Sequence, residues 1–216
     1  MIIAVDGSAA SGKGTLAKRL AAHYDLAHLD TGALYRCLAL HLLSAGRTGS
    51  DIAESEAADA IADIDLSMAG TAAIRTDAVA GMASVVAAMP AVRKNFVSLQ
   101  RRFARQTPDH RGAVLDGRDI GSVILPDADF KFFIDANLEE RARRRTRELQ
   151  ETGQSAMFRD VFEGMRDRDR RDRGRDTAPL KAAEDALVID TTRRDADSVF
   201  AMAARHIDEN SKLKLR

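Results

Sequence analysis

The first fifteen residues, MIIAVDGSAASGKGT (residues 1–15), decide the fold. Residues 2–5 form a short apolar run of the kind found in fully buried strands. Residues 7–13 then read G-x-x-x-x-G-K, and a helical pattern begins at Lys13. The glycines of such a loop let backbone N–H groups turn toward a phosphate, and the helix adds its positive N-terminal end. A strand, a phosphate-binding loop and a helix in this order predict a nucleotide-dependent phosphotransferase.

The residue after the loop lysine narrows the class of nucleotide-binding protein. Strict P-loop spacing places Ser or Thr directly after Lys13, but here Gly14 follows and the hydroxyl comes one residue later, on Thr15. A switch GTPase would need a guanine-reading Asn-Lys-x-Asp, and no Asn in this sequence is followed by Lys. The GKGT variant instead resembles nucleoside monophosphate kinases, in which this loop holds ATP and a second site holds the phosphate acceptor. The residues expected to bind ATP are Gly7, Ser8, Ala9, Ala10, Ser11, Gly12, Lys13, Gly14 and Thr15.

Short apolar runs and helical patterns alternate along the chain. Runs suited to buried strands lie at residues 2–5, 27–29, 113–115, 130–134 and 186–189. Helical periodicity follows at residues 13–24, 31–45, 138–151 and 196–209. This alternation favours an α/β fold in which a five-stranded parallel sheet is flanked by helices.

Two stretches interrupt the alternation, and the rest forms one domain core. Residues 51–108 are Ala-rich and helical, and residues 151–179 are Arg-rich. Open parallel sheets bind ligands at the carboxyl edge of their strands. We therefore expect the first stretch to be an acceptor-binding insert and the second to be a lid. The single predicted domain, residues 1–216, has its core at residues 1–50, 109–150 and 180–216.

Composition and charge favour a small-molecule enzyme over a nucleic-acid or membrane protein. The 33 Lys and Arg residues balance 33 Asp and Glu, so no overall field attracts nucleic acid or an acidic membrane. Cys37 is the only cysteine, which excludes an intramolecular disulfide and fits a reducing compartment. No signal-peptide or transmembrane pattern is present, and the histidines lack metal-ligand spacing. We expect a cytoplasmic monomer that binds small nucleotides, with no nucleic-acid or membrane partner and no zinc site.

A polar motif, LDTGALYR at residues 29–36, follows the second predicted strand. We expect Thr31 to cap the next helix, whose first turns carry Tyr35 and Arg36. The end of the strand would place Arg36 beside the phosphate loop, where an Arg binds a substrate phosphate in bidentate fashion. A capped helix with a solvated Arg is the simpler alternative.

A second polar motif, LDGRDIGSVILPDAD at residues 115–129, follows the third predicted strand. Asp116, Arg118 and Asp119 lie where this strand gives way to a loop, again at the ligand edge. An acidic residue at the end of a neighbouring strand holds Mg²⁺ in related loops, which suggests that role for Asp116. A turn held by local side-chain bonds is the alternative, because Asp and Gly both favour turns.

These motifs, with several others, resemble the bacterial cytidylate kinase family. The matching segments are IAVDGSAASGKGTLAKRLA, LDTGALYR, IRTDAV, SVVAAMPAVR, LDGRDIGSVILPDAD, RDRRDRGRDTAPL and ALVIDTT. They cover nearly the whole chain, and several are much more specific than the phosphate loop. The resemblance implies a P-loop kinase that uses ATP and Mg²⁺ to phosphorylate CMP and dCMP in pyrimidine nucleotide metabolism.

The resemblance also implies roles for individual positions. The residues implied to contact the cytosine base are Ser84, Arg93 and Asp119. Asp119 would accept a hydrogen bond from cytosine N4, and Arg93 would donate to O2 or N3. The residues implied to face the acceptor phosphate are Tyr35, Arg36 and Arg118, with Thr31 nearby, and those implied to approach the sugar are Arg168 and Asp172. Arg175 is implied to reach back to the phosphates.

The Arg-rich stretch has two interpretations. From Arg141 to Arg175 the chain contains twelve Arg, no Lys and seven acids, so a solvated helix with interleaved salt bridges explains most of it. A phosphoryl group in transfer, however, spreads its charge over three oxygens and needs always-charged planar donors. We therefore expect a few lid arginines to be functional. Phe158 and Phe162 are the only interleaved aromatics, which gives little support to an RNA-stacking surface.

The hypothesis from sequence is direct in-line transfer of the γ-phosphoryl group. The catalytic residues expected are Lys13, Arg118 and Arg175, and Thr15 and Asp116 are expected to order Mg²⁺. Two departures from the family concern the acceptor side: Thr31 stands where members often have Ser, and only residues 66–74 separate Asp65 from Arg75, where longer relatives carry extra strands. The rivals are a kinase for UMP, AMP or a sugar acid, and a P-loop ATPase or RNA-binding module.

Overall fold

The computed structural model describes residues 1–48, 51–175 and 177–214. Within these ranges the strands are β1 Ile2–Gly7, β2 Ala27–Asp30, β3 Ala113–Gly117, β4 Phe130–Asp135 and β5 Leu187–Asp190. The helices are α1 Lys13–Tyr24, α2 Thr31–Ser44, α3 Glu54–Asp59, α4 Asp77–Val86, α5 Pro90–Arg105, α6 Leu138–Glu151, α7 Phe158–Arg173 and α8 Ala196–Lys214. The predicted domain boundaries also include residues 49, 50, 176, 215 and 216, which lie outside the described residues.

The five strands form one parallel sheet in the order β2-β3-β1-β4-β5. The register sets Asp30 opposite Asp116 and Gly7 opposite Ile134, so the last residues of neighbouring strands come level with one another. Polar residues that end different strands therefore meet at the same edge. The predicted α/β fold with a five-stranded parallel sheet flanked by helices is confirmed, and each predicted strand overlaps an observed one.

Helices cover both faces of the sheet because its central strands are apolar on both sides. On one face α1 and α8 pack against β1, β4 and β5, with Ile3, Leu20 and Ile207 fully or almost fully buried. On the other face α5 and the segment after β3 pack against Ala4 and Leu115. Burying a large apolar side chain of this kind stabilises a fold by about 1.5–3 kcal/mol. This double-sided core fixes the strand ends that carry the polar motifs.

Local signals set where several helices begin. The side chains of Thr76 and Asn137 accept hydrogen bonds from backbone N–H groups in the first turns of α4 and α6, at 3.3 and 2.8 Å. Pro90 starts α5, where its missing N–H would have no partner inside the helix. No helix within the described residues is long and apolar enough to cross a membrane.

The insert packs on α2 and shares a helix with the sheet. Residues 51–108, all of which the structure describes, form helices and 3₁₀ turns and contain no strand. Leu38 of α2, Met82 of α4 and Phe96 of α5 belong to one apolar cluster. The far end of α5 packs instead against the sheet, through Ala104. Because one helix belongs to both packing units, the position of the insert is tied to the sheet.

The Arg-rich stretch forms α7, which pairs with α6. Ala142 and Leu149 of α6 pack against Val161 and Met165 of α7, and the alanines of the phosphate loop join this small cluster. Helices α6 and α7 therefore share one apolar cluster with the phosphate loop.

Candidate active site

One cavity of about 570 Å³ lies at the carboxyl edge of the sheet. Its walls come from the phosphate loop, α2, the insert, the segment after β3 and the lid. The sequence-predicted residues that line it are Ala9, Ala10, Gly12, Lys13, Gly14, Thr15, Thr31, Tyr35, Arg36, Ser84, Arg93, Asp116, Arg118, Asp119, Arg168, Asp172 and Arg175. Of the positions singled out from sequence, Gly7, Ser8 and Ser11 do not line it, and Ser8 and Ser11 are fully buried.

The phosphate loop is held in place by hydrogen bonds with residues outside the loop. The Ser8 hydroxyl donates to Asp135, Arg141 Nη1 donates to the Ala9 carbonyl at 3.3 Å, and Thr191 Oγ1 donates to the Ser11 carbonyl at 2.8 Å. These bonds use a hydroxyl and carbonyl oxygens of the loop. They do not involve the backbone N–H groups of the loop, and N–H groups at a helix N-terminus are the donors that bind an anion.

Glycine is needed at the start of the loop because β4 passes very close. A Cβ atom at Gly7 would lie 2.0 Å from the Ile134 carbonyl oxygen, which is backbone and cannot move aside. Gly12, the residue before α1, has φ 92°, in the left-handed region that suits glycine. Gly7 is thus required for steric reasons, and Gly12 is favoured by its backbone conformation.

Lys13 lines the cavity, and no acidic side chain among the described residues is within hydrogen-bond range of it. Its Nζ lies 3.4 Å from the Ser8 carbonyl oxygen. Burial, reinforced by the Arg118 guanidinium, lowers the pKa of Lys13 to about 7. A negatively charged ligand would reverse this shift, because an opposite charge favours the protonated amine.

Thr31 does not cap α2, contrary to the prediction. The N-cap is Asp30, whose carboxylate accepts a hydrogen bond from the Ala33 N–H at 3.2 Å. Asp and Thr are both good N-caps, and the residue that enters first in the extended conformation takes the role. The Thr31 hydroxyl is then free to donate to the Asp116 carbonyl at 2.8 Å, and it lies so near Gly117 that a Cβ there would be 2.6 Å away. Thr31 therefore joins the ends of β2 and β3.

Asp116 is buried at the end of β3 and accepts a hydrogen bond from His28 Nε2 at 2.8 Å. Its carboxylate lies close to the start of α1, since a Cβ at Gly14 would be in ordinary van der Waals contact with Asp116 Oδ1, at 3.8 Å. Thr15 is exposed to the same cavity. Within the described residues no group of three or more His, Cys, Asp and Glu side chains could hold a metal ion by itself. One carboxylate and one hydroxyl fit Mg²⁺, which keeps waters and takes phosphate oxygens as its other ligands.

Arg93 and Asp119 form a buried ion pair on the insert side of the cavity. Burial raises the pKa of Asp119, and the positive charge of Arg93 offsets part of this effect. The Ser84 hydroxyl is buried nearby in the cavity wall without a hydrogen-bond partner. The three predicted base contacts, which are far apart in sequence, thus lie in one cavity with a donor and an acceptor already facing each other.

Asp172 interacts with three arginines that line the cavity. Arg118 Nε donates to it at 3.0 Å, Arg175 donates to its other oxygen, and Arg168 Nε lies 3.9 Å away. Burial acts to raise the pKa of Asp172, but these positive charges outweigh it and hold the pKa below its usual value. Burial, together with Arg118, lowers the pKa of Arg168 to about 9. The cluster carries more positive than negative charge, so it favours an added anion.

Arg36 and Tyr35 lie at the acceptor end of the same wall. Burial lowers the pKa of Arg36, and the nearest acid that acts on it is Asp30. Tyr35 packs edge-on against Phe96, with ring centroids 4.8 Å apart, and burial raises its pKa. These contacts hold the first turns of α2 in place. The motif LDTGALYR predicts that this part of the helix faces the ligand.

Arg145 and Gln100 also line the cavity, and neither was predicted from sequence to belong to the site. Arg145 of α6 donates to the Arg75 carbonyl at 2.8 Å and to Asp77 at 3.0 Å, which links α6 to the insert. Gln100 of α5 is fully buried in the cavity wall. Arg145 stood in a run whose composition explains most arginines, and Gln100 belongs to no motif. Only packing brings them to the cavity.

A second cavity of about 550 Å³ lies on the other side of the phosphate loop. Asp135, Asn137, Arg141, Arg173 and Thr192 contribute to its walls. Asp135 and Arg141 also hold the phosphate loop, so this cavity adjoins the loop directly.

Comparison with known sequences accounts for this arrangement. The family model described as Cytidylate kinase matches residues 3–209. The chain belongs to the cytidylate kinase family. The match runs from the first strand into the last helix and confirms the resemblance predicted from the motifs. Family membership makes the chain a nucleoside monophosphate kinase, a phosphotransferase.

Individual cytidylate kinases are similar over almost the whole chain. The cytidylate kinase of Paramagnetospirillum magneticum is 49% identical over 203 residues, which are 94% of this chain and 95% of the relative. That of Methylocella silvestris is 52% identical over 204 residues, covering 94% of this chain and 92% of the relative. A solved structure of an uncharacterized protein from Eubacterium ventriosum matches with a TM-score of 0.50 at 16% identity, over 96% of this chain and 98% of that one. At that identity the likeness concerns the fold alone.

Proposed function

We propose that this kinase transfers the γ-phosphoryl group of ATP directly to CMP or dCMP and forms CDP or dCDP, as part of pyrimidine nucleotide metabolism. One observation carries the proposal: the phosphate loop and the buried Arg93–Asp119 pair line one cavity, and the arginines around Asp172 lie in the same cavity. A donor phosphate, a transferring group and an acceptor base thus have complementary partners in a single space.

The acceptor base lies against Ser84, Arg93 and Asp119 in this proposal. Cytosine offers a donor at N4 and acceptors at N3 and O2, and the pair offers a carboxylate acceptor and guanidinium donors. Uracil carries an acceptor in place of the N4 donor, which would face the Asp119 carboxylate without a proton to share. The ionised pair therefore favours cytosine over uracil.

The acceptor phosphate and sugar lie between the base and the phosphate loop. Arg36 and Arg118 bind the phosphate, with Tyr35 and Thr31 beside them, and Arg168 and Asp172 lie toward the sugar. The positive charge of Arg36 is available to bind the phosphate, because the acid that acts on it, Asp30, already caps α2. Bidentate binding by Arg orients the attacking phosphate oxygen.

Lys13, Arg118 and Arg175 stabilise the charge on the phosphoryl group in transfer. No general base is assigned, because the acceptor phosphate is already negative at neutral pH. Thr15 and Asp116 would hold Mg²⁺, which supplies additional positive charge to the phosphate oxygens of ATP. The Arg-rich region at residues 151–179 acts as the lid and residues 51–108 as the acceptor-binding insert, so that their closure excludes water.

The nucleoside part of ATP occupies the second cavity. The cavity adjoins the phosphate loop through Asp135 and Arg141, so a nucleotide whose phosphates lie on the loop reaches it without entering the acceptor half. Occupation of the two cavities by donor and acceptor places the phosphates of both at the loop. The enzyme is proposed to work in this way as a cytoplasmic monomer.

A coupled assay of ADP release with a panel of acceptors tests the proposal. CMP and dCMP should each raise the rate well above the rate with ATP alone, and UMP, AMP and a sugar acid should be weaker. A rate that CMP and dCMP leave at the ATP-only level would contradict the proposed reaction. Stimulation by RNA would favour a P-loop ATPase or RNA-binding role instead.

A further inference from the structure

A short π-helical turn, Ile120–Ile124, follows Arg118 and Asp119 directly. The first N–H groups of any helical turn lack partners inside it, and an Asp at the N-cap position normally accepts from them. Asp119 occupies the N-cap position here but makes no such bond, because its carboxylate pairs with Arg93 in the acceptor cavity. The turn therefore needs another acceptor.

Asp6 supplies it from a different strand. Its Oδ1 accepts a hydrogen bond from the Ile120 N–H at 2.7 Å, and its Oδ2 accepts one from the Gly121 N–H at 2.8 Å. Asp6 is 4% exposed and lies in β1, one residue before the phosphate loop begins. A carboxylate this deeply buried is costly unless it is hydrogen-bonded, and here both oxygens are used.

We propose that Asp6 is a positioning residue for the acceptor base: it caps the turn after β3 in place of Asp119 and so leaves the Asp119 carboxylate free for substrate. The proposal rests on the proposed function, since the acceptor base gives Asp119 its role. It also makes Asp6 a link between the two halves of the site, because its backbone continues into the phosphate loop while its side chain acts on the acceptor half.

The surroundings of Asp6 support this assignment. Burial raises the pKa of Asp6 to about 7, although the N–H groups of Gly121 and Ile120 act in the opposite direction. The charge of Asp119 raises the pKa further, so the two carboxylates lie close enough to influence each other. Asp119 already occupies the N-cap position, so when Asp6 is lost we expect its carboxylate to turn toward the cap and away from Arg93.

Asp6→Asn tests the assignment in the full chain. An amide has one acceptor oxygen and would set its NH₂ group against the second N–H. The KM for CMP should rise about tenfold and the preference for CMP over UMP should fall, as expected for loss of a charge-assisted hydrogen bond. The KM for ATP should stay within about twofold, although Asp6 is next to the phosphate loop in sequence. A merely structural role predicts the opposite pattern, with ATP binding affected at least as strongly.

A double variant separates positioning from general destabilisation. If Asp6 acts through Asp119, then Asp6→Asn combined with Asp119→Asn should discriminate between CMP and UMP no worse than Asp119→Asn alone. Additive losses would overturn the proposal. Asp195→Asn is the matched control, because Asp195 accepts from the Ser198 N–H at 2.7 Å at the start of α8, away from the cavity. It should keep the kinetics of the original enzyme.

Amide hydrogen exchange measured by NMR tests the cap without relying on the folding of the Asp6 variant. The Ile120 and Gly121 N–H groups should be protected, and Asp119→Asn should leave this protection unchanged. Loss of protection in Asp119→Asn would assign the cap to Asp119 and overturn the proposal. If the enzyme phosphorylates neither CMP nor dCMP, the proposed function fails, and this exchange result still decides the role of Asp6 in capping.

Discussion

The phosphate loop is held through its own uncharged hydroxyl and carbonyl oxygens, whereas the acceptor half of the same cavity is held by buried ion pairs. Asp135, Arg141 and Thr191 form hydrogen bonds with the loop, and among the described residues Lys13 has no acid in hydrogen-bond range. In the acceptor half, Arg93 pairs with Asp119, and Asp172 holds Arg118 and Arg175.

Because of this difference, a ligand has a different electrostatic effect on the phosphate loop and in the acceptor half. On the loop, a phosphate adds a missing negative charge, so binding completes the electrostatics of Lys13. At the base end of the acceptor half, Arg93 and Asp119 already compensate one another, so a base has to share this pair, which favours a base with the right donors and acceptors. In the proposed reaction, binding of the ATP phosphates and selectivity for the acceptor base thus depend on different halves.

The largest effect is expected from Lys13→Met, which removes the charge at the front of the loop. Loss of a group that stabilises transferring charge typically costs about 100- to 1,000-fold in kcat. Steady-state kinetics with saturating CMP should show a fall of at least this size, while CMP binding measured by calorimetry changes little. Equal loss of CMP binding would contradict the division between the two halves.

Asp172→Asn should give the next largest effect, on stability. The change leaves Arg118, Arg168 and Arg175 without their shared carboxylate. Breaking a buried pair costs about 3–5 kcal/mol, and because Arg118 and Arg168 keep some contact with solvent we expect about 2–3 kcal/mol in the free energy of unfolding. Urea titration measures it. Asp167→Asn, on the same helix with exposed partners only, should be nearly neutral.

Arg36→Ala should damage the acceptor half alone. We expect kcat/KM for CMP to fall about 100-fold, because a charged hydrogen-bonding partner of the phosphate is lost. ATP affinity and the melting temperature should stay close to those of the original enzyme. Arg47→Ala, which removes an exposed guanidinium just beyond the same helix, is the control. Unchanged CMP kinetics in Arg36→Ala would place the acceptor phosphate elsewhere.

The smallest effect is a proton taken up when ATP binds. With a pKa of about 7, Lys13 is mostly neutral at pH 8 in the free enzyme, and bound phosphate raises the pKa. A group whose pKa rises on binding takes up protons at a pH between its two values, here roughly 0.9 per ATP at pH 8. Calorimetry in buffers of different ionisation enthalpy measures this uptake. It should disappear in Lys13→Met, and release in place of uptake would contradict the predicted sign.

The two halves also differ in how far sequence could predict them. The phosphate loop depends on contiguous residues, so its spacing, the strand before it and the helix after it were all predicted and are confirmed. Thr31 was wrong as a helix cap because Asp30, one residue earlier, is an equally good capping residue. Gln100 and Arg145 were missed because packing between distant helices, and no local pattern, brings them to the cavity.

Asp6 shows the limit of reading a strand from its apolar pattern. The apolar residues Ile2 to Val5 indicate a buried strand. A polar residue directly after such a run suggests the solvent-exposed end of the strand. The hydrogen-bond donors to Asp6 are backbone N–H groups more than a hundred residues away in the chain. Because these donors are not side chains, the sequence does not indicate which residues bind Asp6. For Ser84 and Arg93 the family resemblance alone supplied the prediction. Their shared cavity now gives those two residues a physical reason, and their contact with the base remains a prediction.

The most direct test follows the phosphoryl group itself. The enzyme is mixed with ATP labelled in its γ-phosphate and with CMP, and the products are separated at short times. Direct transfer to an acceptor in the Arg93–Asp119 half predicts that label leaves ATP and appears in CDP in equal amounts, with little inorganic phosphate. Label that accumulates as inorganic phosphate while CMP stays unmodified would contradict a kinase reaction in this cavity.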